Sequence, residues 1–231
     1  MTARGRARPP PAEPDDAPAR PFPRHLLAQP SLEAARALLG ARLVRDATPD
    51  AARRVGRIVE VEAYIGLEDR ASHARMGPTA RNRVMFGPPG IAYVYLVYGM
   101  HHCLNVVTEP AARPAALLIR AVEPIEGIDA MRAARAASRG ARRSHAATPA
   151  HRLAAGPGLV GAAFGLDRGA TGIDLCDPSS QLRLEARPGD EPAPLIAATP
   201  RVGIAYAGAP WTTHPWRVIV PGSPSLSRRT G

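Results

Sequence analysis

From Val55 to Tyr64 the chain alternates with the two-residue period of a strand: Val59, Val61 and Ala63 hold one parity, and Ile58, Glu60, Glu62 and Tyr64 the other. Two carboxylates and a phenol thus share a face. A second alternating run sets Tyr93, Tyr95 and Val97 against Ala92, Val94 and Leu96. It follows the firm turn Gly87-Pro88-Pro89-Gly90 and is hinged at Gly99 to a strand-like run through Val107. Tyr98, immediately before that glycine, stands at or near the hairpin tip. Ala115 to Val122 reads as a buried strand interrupted by Arg120. A buried arginine needs a partner, and Glu62 across the sheet is the candidate. Further strands are expected at Leu43 and Val44, over Ile173–Leu184 with a turn at Asp177-Pro178, and over Arg201–Tyr206 and Trp216–Val220.

Three stretches carry helical spacing instead. Ser31 reads as the cap of a short helix with Leu32, Ala35 and Leu39 in phase and Gly40 as its stop. Gly127–Arg139 continues the helical pattern through Ile128 and Met131 to Gly140. Gly156-Pro157-Gly158 opens a short apolar helix ending near Gly165.

Length and composition narrow the class. A chain of 231 residues supports one domain with a substantial core. Residues 1–24, dense in proline and charge, read as a disordered basic arm; 141–152 is a mobile basic linker inside a domain drawn at 25–225, and 226–231 is a tail. The net charge of +10 favours a polyanionic partner. Every positive side chain is an arginine, so no lysine amine is available for a Schiff base. Cys103 and Cys176 match neither a zinc spacing nor a redox pair, which points to a reduced, cytoplasmic protein. No apolar run long enough to span a membrane is present, and the N-terminus lacks a signal core.

Against that background the segment from Glu60 to Asn105 stands out, since it holds four of the five tyrosines. His73 lies in a loop after the Glu62/Tyr64 strand, where Asp69 and Ser72 can cap a turn. The run Thr79-Ala80-Arg81-Asn82-Arg83 suits a phosphate-binding loop. Rings that stack, a carboxylate that takes a proton and arginines that meet phosphate together indicate a nucleobase site. At an exposed tip in a basic protein, Tyr98 can act as a wedge between base pairs.

The strings EVEAY (60–64), ASHAR around His73, TARNR with MFGPPG, YVYLVYGMHHCLN (93–105), LLIRAVEPIEG (117–127), GPG (156–158) and RVGIAYAG (201–208) resemble, in order, the alkyladenine (3-methyladenine) DNA glycosylase family. The resemblance implies an α+β fold: a single mixed domain with a curved antiparallel β-sheet flanked by helices and a protruding, DNA-intercalating β-hairpin. It implies a monofunctional glycosylase of base-excision repair acting on double-stranded DNA as a monomer, with no cofactor and no metal. It assigns Glu62 as the base that activates water, with Arg120 and the Val202 carbonyl helping to hold that water. Tyr64 would face His73 and Tyr95 across the extruded base, Asn105 would exclude guanine, and Tyr98 would intercalate. DNA backbone contacts fall to Thr79, Arg81, Asn82, Arg83 and Met100. The chain departs from the family pattern at Leu159, where a lysine is usual, and at His101 and His102, where aromatics are common. The competing readings are a non-catalytic nucleic-acid-binding module of the same fold, a hydrolase of free nucleosides or other small molecules, and a metal site at His73, His101 or His102; the last lacks any HExxH or CxxC spacing.

Overall fold

A strand with no exposed parity is enclosed on both faces, and the strand carrying Glu60 and Glu62, buried at nearly every position despite its charged residues, is of this kind. The computed structural model describes residues 20–138 and 148–228; the expected disorder before residue 20 and the linker segment 141–147 lie outside the described residues, as do 229–231. The strands are β1 (Arg42–Arg45), β2 (Arg54–Ile65), β3 (Ala92–Val97), β4 (His101–Val107), β5 (Ala115–Glu126), β6 (Leu182–Glu185), β7 (Ala197–Thr199) and β8 (Arg217–Ile219). They form one curved antiparallel sheet in the order β3-β4-β5-β2-β1-β6, with β8 pairing β2 and β7. The helices are few: α1 (Arg24–Leu27), α2 (Ser31–Leu38), α3 (Ile128–Ser138) and α4 (Pro157–Ala163). Among the described residues no helix is long and apolar enough to cross a membrane.

β2 is the centre of the sheet. One edge pairs with β5 from Val55↔Glu126 to Ile65↔Ala115, while the other is shared by β1 and, at Glu60 to Glu62, by β8. The β2–β5 register shifts between Ile58 and Val61, opposite Arg120. Such bulges bend a strand and re-aim side chains, and here they fall where the charged groups meet.

The core fills one side of the sheet with Leu38, Leu43, Ile58, Leu104, Ile119, Met131, Leu153 and Phe164, all buried. Full burial of each such large apolar side chain contributes roughly 1.5–3 kcal/mol. α4 lies against β4 so closely that a Cβ on Gly161 would stand 2.0 Å from the His102 carbonyl oxygen. Only glycine permits that approach.

Several expectations change in the folded chain. Ser31 is the first helical residue rather than the cap; its amide and hydroxyl donate to Glu109 from the β4–β5 loop, at 3.1 and 2.6 Å. A remote carboxylate thereby satisfies a helix N-terminus, which favours negative charge. Arg201–Tyr206 is not a strand but a bend leading into a 3₁₀ turn at Ala205–Ala207, because Gly203 takes a φ of +79° that breaks extended pairing. The short strand β7, just before it, gave no alternating signal. Within 173–184 only Leu182–Glu185 is strand, and Ala150–Arg152 of the presumed linker forms a 3₁₀ turn. Arg20 to Phe22 already belong to the fold: Phe22 is buried and its amide donates to the Leu184 carbonyl at 3.0 Å. At the other end Ser225 and Leu226 are buried as well.

Candidate active site

The same-parity placement of Glu60, Glu62 and Tyr64 on β2 puts two carboxylates in the enclosed centre of the sheet, both at 0% exposure. Carboxylates so placed need donors. Glu62 Oε1 accepts from the backbone N–H of Val202 at 2.7 Å, and its Oε2 accepts from the Tyr64 hydroxyl at 2.9 Å and from Arg120 Nη1 at 3.2 Å. The expected Arg120–Glu62 contact is therefore present, but Arg120 also donates from Nε to Glu60 at 2.9 Å. Glu60 further accepts from Arg217 Nε and from the amide and hydroxyl of Ser227, each at 2.7 Å. Burial alone would raise the Glu60 pKa, yet hydrogen bonds from Arg217 and Ser227 and the charge of Arg120 hold it below the ordinary carboxylate value. Likewise burial works against charge on Arg120, and Glu62 and Glu60 outweigh it, raising its pKa.

Beside this network the sheet and its loops form a small recess that is partly open to solvent. Tyr64, at the end of β2, lines it and adjoins Glu62; its phenol is held well above the ordinary pKa, first by burial and then by Glu62. His73, Tyr93 and Tyr95 line the recess as a second group. The His73 and Tyr95 rings meet edge to face at 4.4 Å, and His73 Nδ1 lies 3.0 Å from the Tyr93 hydroxyl. Asn105, opposite Tyr93 in the β3–β4 register, also lines the recess, and its Nδ2 donates to the Tyr93 carbonyl at 3.0 Å. Although the His73 ring remains accessible, crowding by its neighbours and then the charge of Arg81 lower its pKa to about 4. It is a neutral ring at neutral pH.

The loop carrying His73 is built from short side-chain caps. Asp69 accepts from the Ala71 amide at 3.0 Å and Ser72 Oγ from the Ala74 amide at 3.2 Å. The Asn82 side chain is buried: its Nδ2 donates to the carbonyls of His73 and Gly77, at 2.7 and 3.1 Å, and its Oδ1 accepts from the amide and hydroxyl of Thr79. Asn82 and Thr79 therefore tie the loop together. Arg81 and Arg83 remain exposed, with the Arg81 guanidinium 5.4 Å above the Tyr95 ring.

Tyr98 is 88% exposed at the turn between β3 and β4, and Met100 beside it is 67% exposed. Tyr98 and Gly99 both have positive φ, at 51° and 67°, and the Met100 amide closes the turn on the Val97 carbonyl at 3.1 Å. These are the angles of a type I′ turn, which glycine suits and tyrosine does not. His101, on β4, lies against Gly158 at the start of α4, where an added Cβ would meet it at 2.9 Å.

Thus Tyr64, His73, Tyr95 and Asn105 line one recess, with Glu62, Arg120 and Val202 joined next to it; Tyr98 and Met100 stand apart at the hairpin turn. The sequence reading missed Glu60 as a hub, because an acid on an alternating strand ordinarily faces water. It also missed Tyr206 and Met85 on the recess wall and the buried Arg201–Asp69 pair. Arg201 carried the same signal that exposed Arg120, an arginine in an apolar run.

Residues 25–224 match the methylpurine-DNA glycosylase (MPG) family. A Methanocella arvoryzae protein bearing the name "Putative 3-methyladenine DNA glycosylase" is 48% identical over 208 residues, 90% of this chain and 96% of that protein. Proteins of the same name from Myxococcus xanthus and Nitrosococcus oceani are each 44% identical, over 90% of this chain and 93% and 94% of their own. With a family match over residues 25–224 and relatives 44–48% identical over 90% of its length, the chain belongs to the methylpurine-DNA glycosylase family.

Proposed function

We propose that this protein is a monofunctional DNA glycosylase that extrudes alkylated or deaminated purines from duplex DNA and hydrolyses the bond between base and sugar. The observation that carries the reading is Glu62, a carboxylate held by Val202, Tyr64 and Arg120 immediately beside an aromatic recess. Enzymes that act on a base take it out of the stack into such a pocket, and damaged pairs cost less to open. In this reading the protruding β3–β4 hairpin enters the minor groove and Tyr98 fills the gap left by the departed nucleotide. The base lies between Tyr64 and the His73/Tyr95 pair, whose neutral rings attract a cationic alkylpurine by roughly 0.5–2 kcal/mol. In the same reading Asn105, on the recess wall, excludes guanine by clashing with its 2-amino group.

Glu62 takes a proton from a water as its oxygen forms the new bond to C1′. The C1′–N bond breaks, its electron pair passes to the base, and a cationic alkylpurine leaves neutral, with an abasic site as the other product. Arg120 and the Val202 carbonyl hold the water. A positioned base of this type contributes roughly 10²–10⁴-fold. With no lysine in the chain, the lysine imine route to strand cleavage is closed. The net charge of +10 supports a DNA partner, and the enzyme acts as a cytoplasmic monomer on damaged DNA.

The test is base release from duplexes carrying 3-methyladenine, hypoxanthine or 1,N6-ethenoadenine, by the wild type and Glu62→Gln, with strand breakage scored before and after alkali. Wild-type release that is lost in Glu62→Gln at preserved duplex affinity is expected, with breaks only after alkali. Tight duplex binding with no release from any substrate would leave a non-catalytic binding module.

A further inference from the structure

Arg201 and Asp69 form an ion pair with both side chains at 0% exposure, far from where composition would place them. The contact is bidentate: Nη1 and Nη2 of Arg201 donate to the two oxygens of Asp69 at 2.6 and 2.9 Å, and Nη1 also reaches the Ala63 carbonyl at 2.9 Å. The guanidinium plane is packed between two rings, its carbon 4.7 Å from the centre of Tyr64 and 4.9 Å from that of Trp216. Asp69 in turn accepts from the amides of Ile65 and Ala71, which begin and shape the loop that carries His73. The residue after Arg201 is Val202, whose amide holds Glu62. One ion pair therefore touches the Tyr64 wall of the recess, the loop bearing the His73 wall, and the chain that fixes the carboxylate.

We propose that the Arg201–Asp69 pair is the positioning device that sets the spacing of the base slot and the placement of Glu62 relative to it. Burying two charges is expensive, and a well-packed apolar pair often serves stability as well; what the pair adds is a geometry with little freedom. Arg201 reaches no base itself. Its planar fork lies over the Tyr64 ring and pairs with both oxygens of Asp69, and a lysine, with a point charge and no plane, cannot reproduce either contact.

The inference rests on the glycosylase reading, and the experiment separates the two. Arg201→Lys and Asp69→Asn are compared with the wild type for affinity to a duplex carrying 1,N6-ethenoadenine, for affinity to a duplex carrying a tetrahydrofuran abasic analogue, and for single-turnover base release per abasic-binding site. The abasic duplex has no base to seat, so it counts folded, DNA-competent protein. Both variants are expected to keep abasic affinity within about twofold, to lose roughly tenfold or more in ethenoadenine affinity and to lose about 10²-fold in release, the penalty typical of a misplaced reacting group. Release per abasic-binding site equal to wild type would overturn the proposal. So would parallel loss of both affinities in both variants, which would assign the pair to folding alone. If the wild type itself releases no base, the glycosylase reading fails instead.

Discussion

Replacing Glu60 by glutamine tests how the buried charge network is balanced. Glu60 and Glu62 face Arg120 and Arg217, and Glu60 accepts four hydrogen bonds from Arg120, Arg217 and Ser227 at 2.7 to 2.9 Å with no solvent exposure. Glutamine keeps the shape, so no cavity opens. It leaves one uncompensated positive charge in the network and turns an amide NH₂ toward groups that are all donors. Removing one partner of a buried pair costs about 3–5 kcal/mol, a large share of the roughly 5–15 kcal/mol that holds a domain together. For a protein of this size the melting temperature should fall by about 6–20 °C, read by circular dichroism at neutral pH with urea unfolding in parallel. The native Glu60 pKa is depressed, so its stabilisation is present above the unfolded carboxylate value of 4.5 and is lost as pH falls through the lower native value. Glu60→Gln should therefore show a weaker loss of stability with acid than the wild type. A melting temperature within about 2 °C of wild type, far inside the shift that the lost pair implies, with an unchanged acid limb would refute the reasoning.

Two further outcomes follow from local geometry. Tyr98→Asn should raise stability by about 1 kcal/mol, because asparagine tolerates the positive φ that tyrosine resists and the exposed ring packs on little, yet base release should fall; undiminished release would remove Tyr98 from the reaction. His73 should titrate with a midpoint near 4 in an NMR pH series, not near 6.5. Since its native pKa is depressed, acidification from 6.5 toward 4 should destabilise the wild type more than His73→Gln, and an ordinary midpoint would mean that Arg81 and the tyrosines do not crowd the ring as described.

Much of the fold was legible from one-dimensional signals. The alternation around Glu62, the Pro-Gly turn before Tyr93, the glycine after Tyr98 and the apolar run around Arg120 correspond to β2, the β3–β4 hairpin and β5. Those signals arise from neighbours in the chain, so the sequence carries them whole. The helix start at Ser31 was misread because a distant group, Glu109, decides it, and the bend at Arg201–Tyr206 because Gly203 takes a positive φ that an apolar run does not announce. At the chain ends Phe22 and Leu226 stand in polar surroundings and gave no core signal; in the folded chain β6 and Arg152 bond to their backbones.

By itself, then, the sequence determined the central strands, the hairpin with its exposed tyrosine, the concentration of rings and carboxylates in one stretch, and the family through strings that survive in order. Tertiary structure alone decided that Arg120 and Arg217 both close on Glu60, that Ser227 at the far end of the chain joins them, and that Arg201 lies over Tyr64. The physical reason is burial. A strand pattern specifies which side chains share a face, but whether that face meets water or a second set of charges depends on what the sheet packs against, and only there do desolvation and pairing give a carboxylate its role.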